Sequence, residues 1–384
     1  MSGTFRVAPE IHFGFGISGQ TGALVRSLGA QRVLIVTDPG IRAIGMCGQI
    51  EQTLTAHDIA FTIYDAVSPN PRDYECLAAA ELARETGAEA VVAVGGGSPI
   101  DLAKAVAGLA TNAGTALDWV APRTFETSPL PLIAVPTTSG TGSEVTRSAV
   151  INDTARQIKV SLRDWTIAPR IAIVDPELTL GLPSLLTAAT GMDALTHAIE
   201  AYTCRRATPL SDGMALQAMR LIGPNLPIAV ADGSNRVARE QMMLGSTIAG
   251  MAFSNADVAA VHCIAEALGG RYDTPHGIAN STFLPWIFAH DAPADPQRHA
   301  DVAVALGVAA EDDEPGYAAE QAARFLVDLG RTIGIPRFRE LPGIDEDDFP
   351  WIASASVANL SNASNAREMT EADYLSLLET AWNA

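Results

Sequence analysis

Five short runs in the first half of the chain, RVLIVT (32–37), FTIY (61–64), AVVAV (90–94), PLIAV (131–135) and RIAIV (170–174), are apolar almost throughout. Strands without a polar face belong in a sheet covered on both sides. Amphipathic stretches such as 74–86 and 101–111 separate several of them. This βα alternation predicts a parallel sheet with helices on its faces. After about Pro183 the period changes: helical spacing dominates 190–204, 212–222, 235–251, 256–268, 296–306, 317–333 and 370–382. A chain of 384 residues exceeds one ordinary core. Two domains are expected, an α/β domain over 1–182 and an all-α domain over 183–384.

Within the helical half, AATGMDALTHAIEAY (188–202) carries Asp193 and His197 in an otherwise apolar run. Four residues apart, the two side chains share one helix face. Such pairs are often only ion pairs. Here the surrounding Ala, Leu, Ile and Met predict burial, where a charge needs a partner. His262, in the apolar AAVHCIAEALGG (259–270), and His276, in an expected Pro-His-Gly loop, extend the group. One Asp and three His form a plausible shell for a divalent transition metal.

Three loops are candidates for holding phosphate or ribose. Gly14, Gly16 and Gly19 match GxGxxG, with Asp38 closing a strand about 20 residues later. No convincing buried strand precedes those glycines, and a tight turn into a helix at 20–27 explains them equally well. Gly95, Gly96 and Gly97 directly follow AVVAV; Ser98 is expected to cap the next helix, with Pro99 at its first position and Asp101 completing a capping-box-like spacing. Three consecutive glycines cost chain entropy and favour close approach of a ligand. The hydroxyl-rich PTTSGTGSEVT (136–146) follows PLIAV and suits ribose and phosphate oxygens, though a plain turn would also explain it.

Charge narrows the partners. Lys and Arg total 25 against 44 Asp and Glu, a formal net charge of -19, which opposes binding to nucleic acid and anionic membranes. No targeting leader and no apolar run of about 20 residues is expected, so a soluble cytoplasmic protein is anticipated. The four cysteines, Cys47, Cys76, Cys204 and Cys263, lack CxxC spacing and are expected as buried thiols. Cys263 adjoins His262 and would be open to oxidation if iron cycled nearby.

Together, GGGSPID, PTTSGTGSEVT, ATGMDALTHAIEAY and VHCIAEALGGRYDTPHG resemble the iron-containing, or group III, alcohol dehydrogenases, with the likeness running to about Pro285 and the last hundred residues matching loosely. The resemblance implies a dehydroquinate synthase-like fold: an α/β nucleotide-binding domain with a parallel sheet, an all-α metal-binding domain, and an active site in the cleft between them. It assigns Fe(2+), with Zn(2+) as an alternative, to Asp193, His197, His262 and His276. It assigns the NAD pyrophosphate to Gly96, Gly97 and Ser98, and further cofactor contacts to Asn70, Asp101, Thr137, Thr138, Thr146, Ser148, Lys159, Leu178 and Gly181. Asp38 would accept a hydrogen bond from the adenosine ribose, and a carboxylate there favours NAD over NADP. The implied reaction is hydride transfer between NAD(H) and a small primary alcohol or aldehyde, by a homodimer or larger homo-oligomer. A divalent cation would polarise the carbonyl or lower the alcohol pKa. Affinity order alone favours Zn over Fe at nitrogen-rich sites, so iron is implied by the family.

Where the family carries a second His, one turn after the first helical ligand, this chain has Glu266, which is expected to act as acid or base, support a ligand or face solvent. Phe253 and residues near Ile151 are expected to border an apolar pocket. Maleylacetate or hydroxy-acid reduction remain alternatives within the family. A dehydroquinate synthase-like lyase would need several basic side chains near the metal motifs, where only Arg271 is found.

Overall fold

The computed structural model describes residues 4–384; the start of the chain, on which the expectation of no leader falls, lies partly outside the described residues. The chain forms two compact units, one of Val7–Thr138 with Gly142–Leu180 and one of Gly181–Ala384 with Ser139–Thr141 and residues 4–6.

The first unit runs β1 (Glu10–Phe13), α1 (Thr21–Ser27), β2 (Arg32–Val36), α2 (Pro39–Ala43), α3 (Met46–Ala56), β3 (Ala60–Tyr64), α4 (Asp73–Glu85), β4 (Ala90–Gly95), α5 (Gly97–Leu109), β5 (Leu132–Pro136), β6 (Ser148–Asp153), β7 (Ile158–Arg163) and β8 (Ile171–Val174). Six strands make one sheet in the order β1-β8-β5-β4-β2-β3, and every pairing in it is parallel. Every residue of β4 and β5 is buried, which is why their sequences have no polar alternation. One apolar cluster containing Leu34, Val91 and Ala103 and another containing Ile35, Val92 and Ile133 lie on opposite faces of these strands.

Each of the five expected strands forms, with ends shifted by at most a residue or two. Five elements of this unit were not anticipated. The edge strand β1 has only exposed and half-buried residues, so no apolar run marks it. Strands β6 and β7 form a separate antiparallel pair, and α2 and α3 join β2 to β3 where no helix was expected.

The second unit holds α6 (Ser184–Thr203), α7 (Pro209–Ala231), α8 (Arg236–Asn255), α9 (Ala260–Tyr272), α10 (His276–Asp291), α11 (Pro296–Ala305), α12 (Pro315–Thr332), α13 (Phe349–Ala358) and α14 (Glu371–Asn383), and no strand among its described residues. Helix α6 is buried without interruption from Gly191 to Tyr202, the pattern of a helix surrounded by others. Helix α7 runs 23 residues through Pro224 and Pro227, although its periodicity had been expected to stop at Ile222. Proline removes a helical hydrogen bond, but Met219, Ile222 and Leu226 share the core with α6, and that burial holds the later turns. The expected loop at His276 is instead the first turn of α10, and α13 was not anticipated. No single helix among the described residues is long and apolar enough to cross a membrane.

Candidate metal centre and nucleotide-binding loops

Helix α6 carries Asp193, His197 and Glu200 at spacings of four and three, hence on one face, and all three are buried. His262 enters from the first turn of α9, and His276 is the first residue of α10. One ligand atom from each of Asp193, His197, His262 and His276 lies within 4.8 Å of the other three. The His197 and His262 rings are 4.6 Å apart, and His262 and His276 are 5.2 Å apart.

Asn280, one turn beyond His276, shows where these atoms point. Its amide nitrogen donates to Asp193 Oδ1 at 2.6 Å and lies 3.2 Å from Nε2 of both His262 and His276. A single donor thus reaches three acceptors that face one spot. Burial, then the neighbouring His262 charge, holds the His197 imidazole well below the ordinary histidine range, and its Nδ1 is buried without a hydrogen-bond partner. A neutral imidazole with an unmet nitrogen, a carboxylate and two more inward nitrogens fit a divalent ion chemically.

Glu200 was not singled out from the sequence, yet it orients the group. Its Oε2 lies 2.5 Å from His262 Nδ1; a carboxylate only accepts, so Nδ1 carries the proton and Nε2 is left as the inward lone pair. The same carboxylate accepts from the backbone N–H groups of Ala259 at 2.8 Å and Val261 at 2.7 Å, where no residue of α9 caps its own start. Burial would lower the His262 pKa, but Glu200, with help from Asp193 and Glu266, raises it on balance. Glu200→Gln is expected to weaken divalent-metal affinity by about 10- to 100-fold, which competition against a fluorescent chelator measures; unchanged affinity would sink this role.

Behind Glu200, Asn365 accepts from Ala260 N–H at 3.3 Å and donates to Asp291 at 3.1 Å. Burial, opposed by that hydrogen bond and reinforced by the Glu200 charge, pushes the Asp291 carboxyl up to about 7. The folded chain therefore keeps a proton that the unfolded chain releases above about pH 4. Stability from this group falls as pH rises from about 4 to 7 and is fully lost above it. Asp291→Asn removes the slope, an advantage of up to about 4 kcal/mol at pH 8, checked by comparing melting temperatures of both proteins at pH 5 and pH 8.

In the sheet unit, β2 pairs with β3 on one side and β4 on the other. The order β3-β2-β4-β5-β8 reverses direction at β2 and β4, the switch point outside whose strand ends ligands bind in open α/β sheets. Asp38 follows β2: its Oδ1 caps α2 by accepting from Ile41 N–H at 2.9 Å. Its Oδ2 stands beside Gly95, where a Cβ would come within 3.3 Å of it and within 2.5 Å of Pro99. Gly95 has φ +152, so the turn tolerates no side chain. Gly96 is the N-cap of α5 and Gly97 its first residue, and no side chain caps the helix. The expectation that Ser98 caps α5 with Pro99 at its first position is thus corrected: the helix begins two residues earlier, at Gly97, because the glycines themselves turn into it.

Thr137 donates its backbone N–H to Gly95 at 3.0 Å, and its buried hydroxyl has no partner. The Thr138 hydroxyl lies beside Gly96. Asn70 is buried with φ 54. Asp101, Thr146 and Ser148 also carry internal bonds: Asp101 accepts from Ser143 Oγ and Val150 N–H, while Thr146 Oγ1 and the Ser148 backbone carbonyl accept from Lys104. Lys159 faces Asn152 across the β6–β7 pair. Leu178 is buried in a turn after β8, and Gly181, φ 82, opens the helical unit.

Other expectations change. The donors of the first glycine loop are already used: Asp175 accepts from Gly16 N–H, Ser18 N–H and Ser18 Oγ at 2.9, 3.0 and 2.6 Å, so a carboxylate sits where a phosphate would be bound. Ile151 itself is fully buried in an apolar core cluster of the sheet unit. Phe253 stacks on His197 at 4.3 Å. Cys263 is buried with its thiol pKa pushed well up by burial, so it is not the exposed, readily ionised thiol that oxidation favours. Glu266 Oε2 accepts from Asn359 at 2.6 Å. Arg271 pairs with Asp348 and lies over Trp351.

Residues 8–176 match the family described as iron-containing alcohol dehydrogenase, and residues 187–382 match the C-terminal part of the same family. The chain is 40% identical over 381 residues to a 1,3-propanediol dehydrogenase of Citrobacter freundii, covering 98% of each. It is 36% identical over 377 residues to the NAD-dependent methanol dehydrogenase of Bacillus methanolicus, covering 98% of this chain and 99% of that one. A solved 1,3-propanediol oxidoreductase superposes with a TM-score of 0.96 at 38% identity, covering 99% of this chain and all of that one. The likeness therefore spans nearly the whole chain, beyond the limit near Pro285 expected from the motifs.

Proposed function

This chain belongs to the iron-containing alcohol dehydrogenase family and transfers hydride between NAD(H) and an alcohol or aldehyde; we propose that the substrate is a small primary alcohol or aldehyde and that Asp193, His197, His262 and His276 hold Fe(2+), with Zn(2+) able to replace it. The convergence of those four ligand atoms within 4.8 Å carries the proposal. Bound there, a divalent ion supplies Lewis acidity toward a carbonyl or alcohol oxygen. Held at the residues named below, a nicotinamide coenzyme would supply or accept the hydride.

The chain's own residues prepare the site. Glu200 keeps His262 in one tautomer, Asn280 steadies the Asp193 carboxylate, and burial keeps His197 neutral. Phe253, stacked on His197, makes one wall apolar, which suits a short carbon chain. For the coenzyme, the proposed contacts are the α5 start at Gly96, Gly97 and Ser98, whose uncapped N–H groups suit a pyrophosphate, and Asp38, whose Oδ2 is proposed to accept from the ribose and to disfavour a 2′-phosphate. Asn70, Asp101, Thr137, Thr138, Thr146, Ser148, Lys159, Leu178 and Gly181 complete the proposed set. An edge strand with an open ladder, β1, supports self-association as a homodimer or larger homo-oligomer, and the proposed compartment is the cytoplasm.

Glu266, one turn beyond His262, is proposed to repel anionic substrates. Glu266→Gln should improve use of carboxylate-bearing aldehydes and alter the pH profile; no change in either removes that role. The overall proposal is tested with protein stripped by a chelator and reloaded anaerobically. Fe(II) or Zn(II) should restore NADH formation from short primary alcohols, whereas equal turnover by the stripped protein would overturn the metal assignment.

A further inference from the structure

Lys104 lies two turns into α5 and is fully buried. Its ammonium donates to Ser143 Oγ at 2.7 Å, Thr146 Oγ1 at 3.0 Å and the Ser148 carbonyl at 2.7 Å, which uses all three of its protons. Asp101 Oδ1 lies 3.8 Å away, accepts from Ser143 Oγ at 2.5 Å, and belongs to a carboxylate whose other oxygen accepts from Val150 N–H at 2.9 Å. Four segments are thereby tied at one point: α5, the turn at Ser143–Val145, Thr146, and the start of β6.

The same segments meet again at their other end. Gly96, at the start of α5, lies against Thr138, and Thr137 is bonded to Gly95. The triple-glycine turn and the hydroxyl-rich segment thus touch at the strand ends and are cross-tied inside the domain by Lys104. Resting on the nucleotide reading above, we propose that Lys104 is a positioning residue for NAD(H): it fixes the spacing between the glycine turn that receives the pyrophosphate and the threonine-bearing segment, and touches no coenzyme atom itself.

Energetics argue for such a task. Taking an ammonium out of water is costly, and an apolar side chain of similar length would fill the space without that cost. Burial pushes the Lys104 pKa down to about 8, with Asp101 and Glu144 opposing, so near neutral pH the ammonium keeps its three donors. Its geometry, rather than a gain in stability, is what a methionine could not reproduce.

The test is titration of the metal-loaded protein with NADH, followed by nicotinamide fluorescence, alongside melting temperature and metal content. Lys104→Met is expected to raise the NADH Kd by roughly 10- to 100-fold, the range that follows from losing one charge-assisted hydrogen bond, with metal content unchanged. Ser143→Ala removes one arm of the brace while leaving the charge paired with Asp101, and should raise Kd by a smaller factor in a protein that folds even if Lys104→Met does not. A lysine that only supports the fold would lower the melting temperature and leave the Kd of the folded fraction alone. Loss of binding in Gly96→Val, with Kd unchanged in Ser143→Ala and in any folded Lys104→Met, overturns the brace. Failure of the wild type to bind NADH, or wild-type binding by Gly96→Val, overturns the nucleotide reading instead.

Discussion

Asp193→Asn is expected to reduce kcat/KM for aldehyde reduction by about a thousandfold, because the lost carboxylate charge is worth several kcal/mol at a metal-assisted centre. Asp193 is the one anionic member of the four side chains proposed to share the ion, and asparagine preserves its size, so packing is not the cause. The variant should purify with little metal yet bind NADH nearly as tightly as the wild type, since the residues proposed to hold the nucleotide lie, apart from Gly181, in the other unit. Metal analysis and NADH fluorescence separate the two effects. Near-normal turnover with a full complement of metal would remove Asp193 from the ligand set.

Gly277→Ala is expected to do comparable damage by purely steric means. A Cβ on Gly277 would lie 2.3 Å from the Ala189 carbonyl oxygen and 2.7 Å from its carbon. Both obstacles are backbone, so α6 and α10 must part. Overpacking of this kind costs about 3 kcal/mol, and sometimes more. It also moves His276, the preceding residue, away from Asp193, to which its Nε2 is now 3.7 Å. A displacement near 1 Å at a reacting centre can cost about 100-fold in rate. The expected result is a lower melting temperature in both stripped and loaded protein, together with weaker metal binding; a variant with normal metal affinity would show that this helix contact does not set the cluster.

Legibility followed burial. Strands β2, β4, β5 and β8 could be placed because strands covered on both faces must be apolar. Strand β1 escaped because its four residues, exposed or half-buried, form no apolar run, whereas β7 does alternate apolar and polar residues from Ile158 to Arg163, the period of a strand with one covered face. Asp193 and His197 stood out as a polar pair in an apolar helix. Glu200 sits on the same face of α6, but its partner His262 lies 62 residues away on another helix, so no local spacing marks it. Asn280 was hidden by the reading of His276 as a loop residue: only with α10 beginning at His276 does Asn280 fall one turn later and point the same way. Lys104 carries the same kind of mark as Asp193 and His197, a lone charge in the otherwise apolar LAKAVAGLA (102–110), on a helix that is buried on every side there.

By itself the sequence determined the alternation that makes a covered parallel sheet, the helical second half, the four side chains able to share an ion, and the glycines that favour close approach of a ligand. Those follow from local rules: period, side-chain chemistry and the absence of a Cβ. Tertiary structure decided which carboxylate holds which imidazole, that the first glycine loop is closed off by Asp175, and that Asp101 and Thr146 turn inward to a buried ammonium. These depend on partners tens to more than a hundred residues away in the chain, and no local pattern encodes a distance of 3 Å across such a separation.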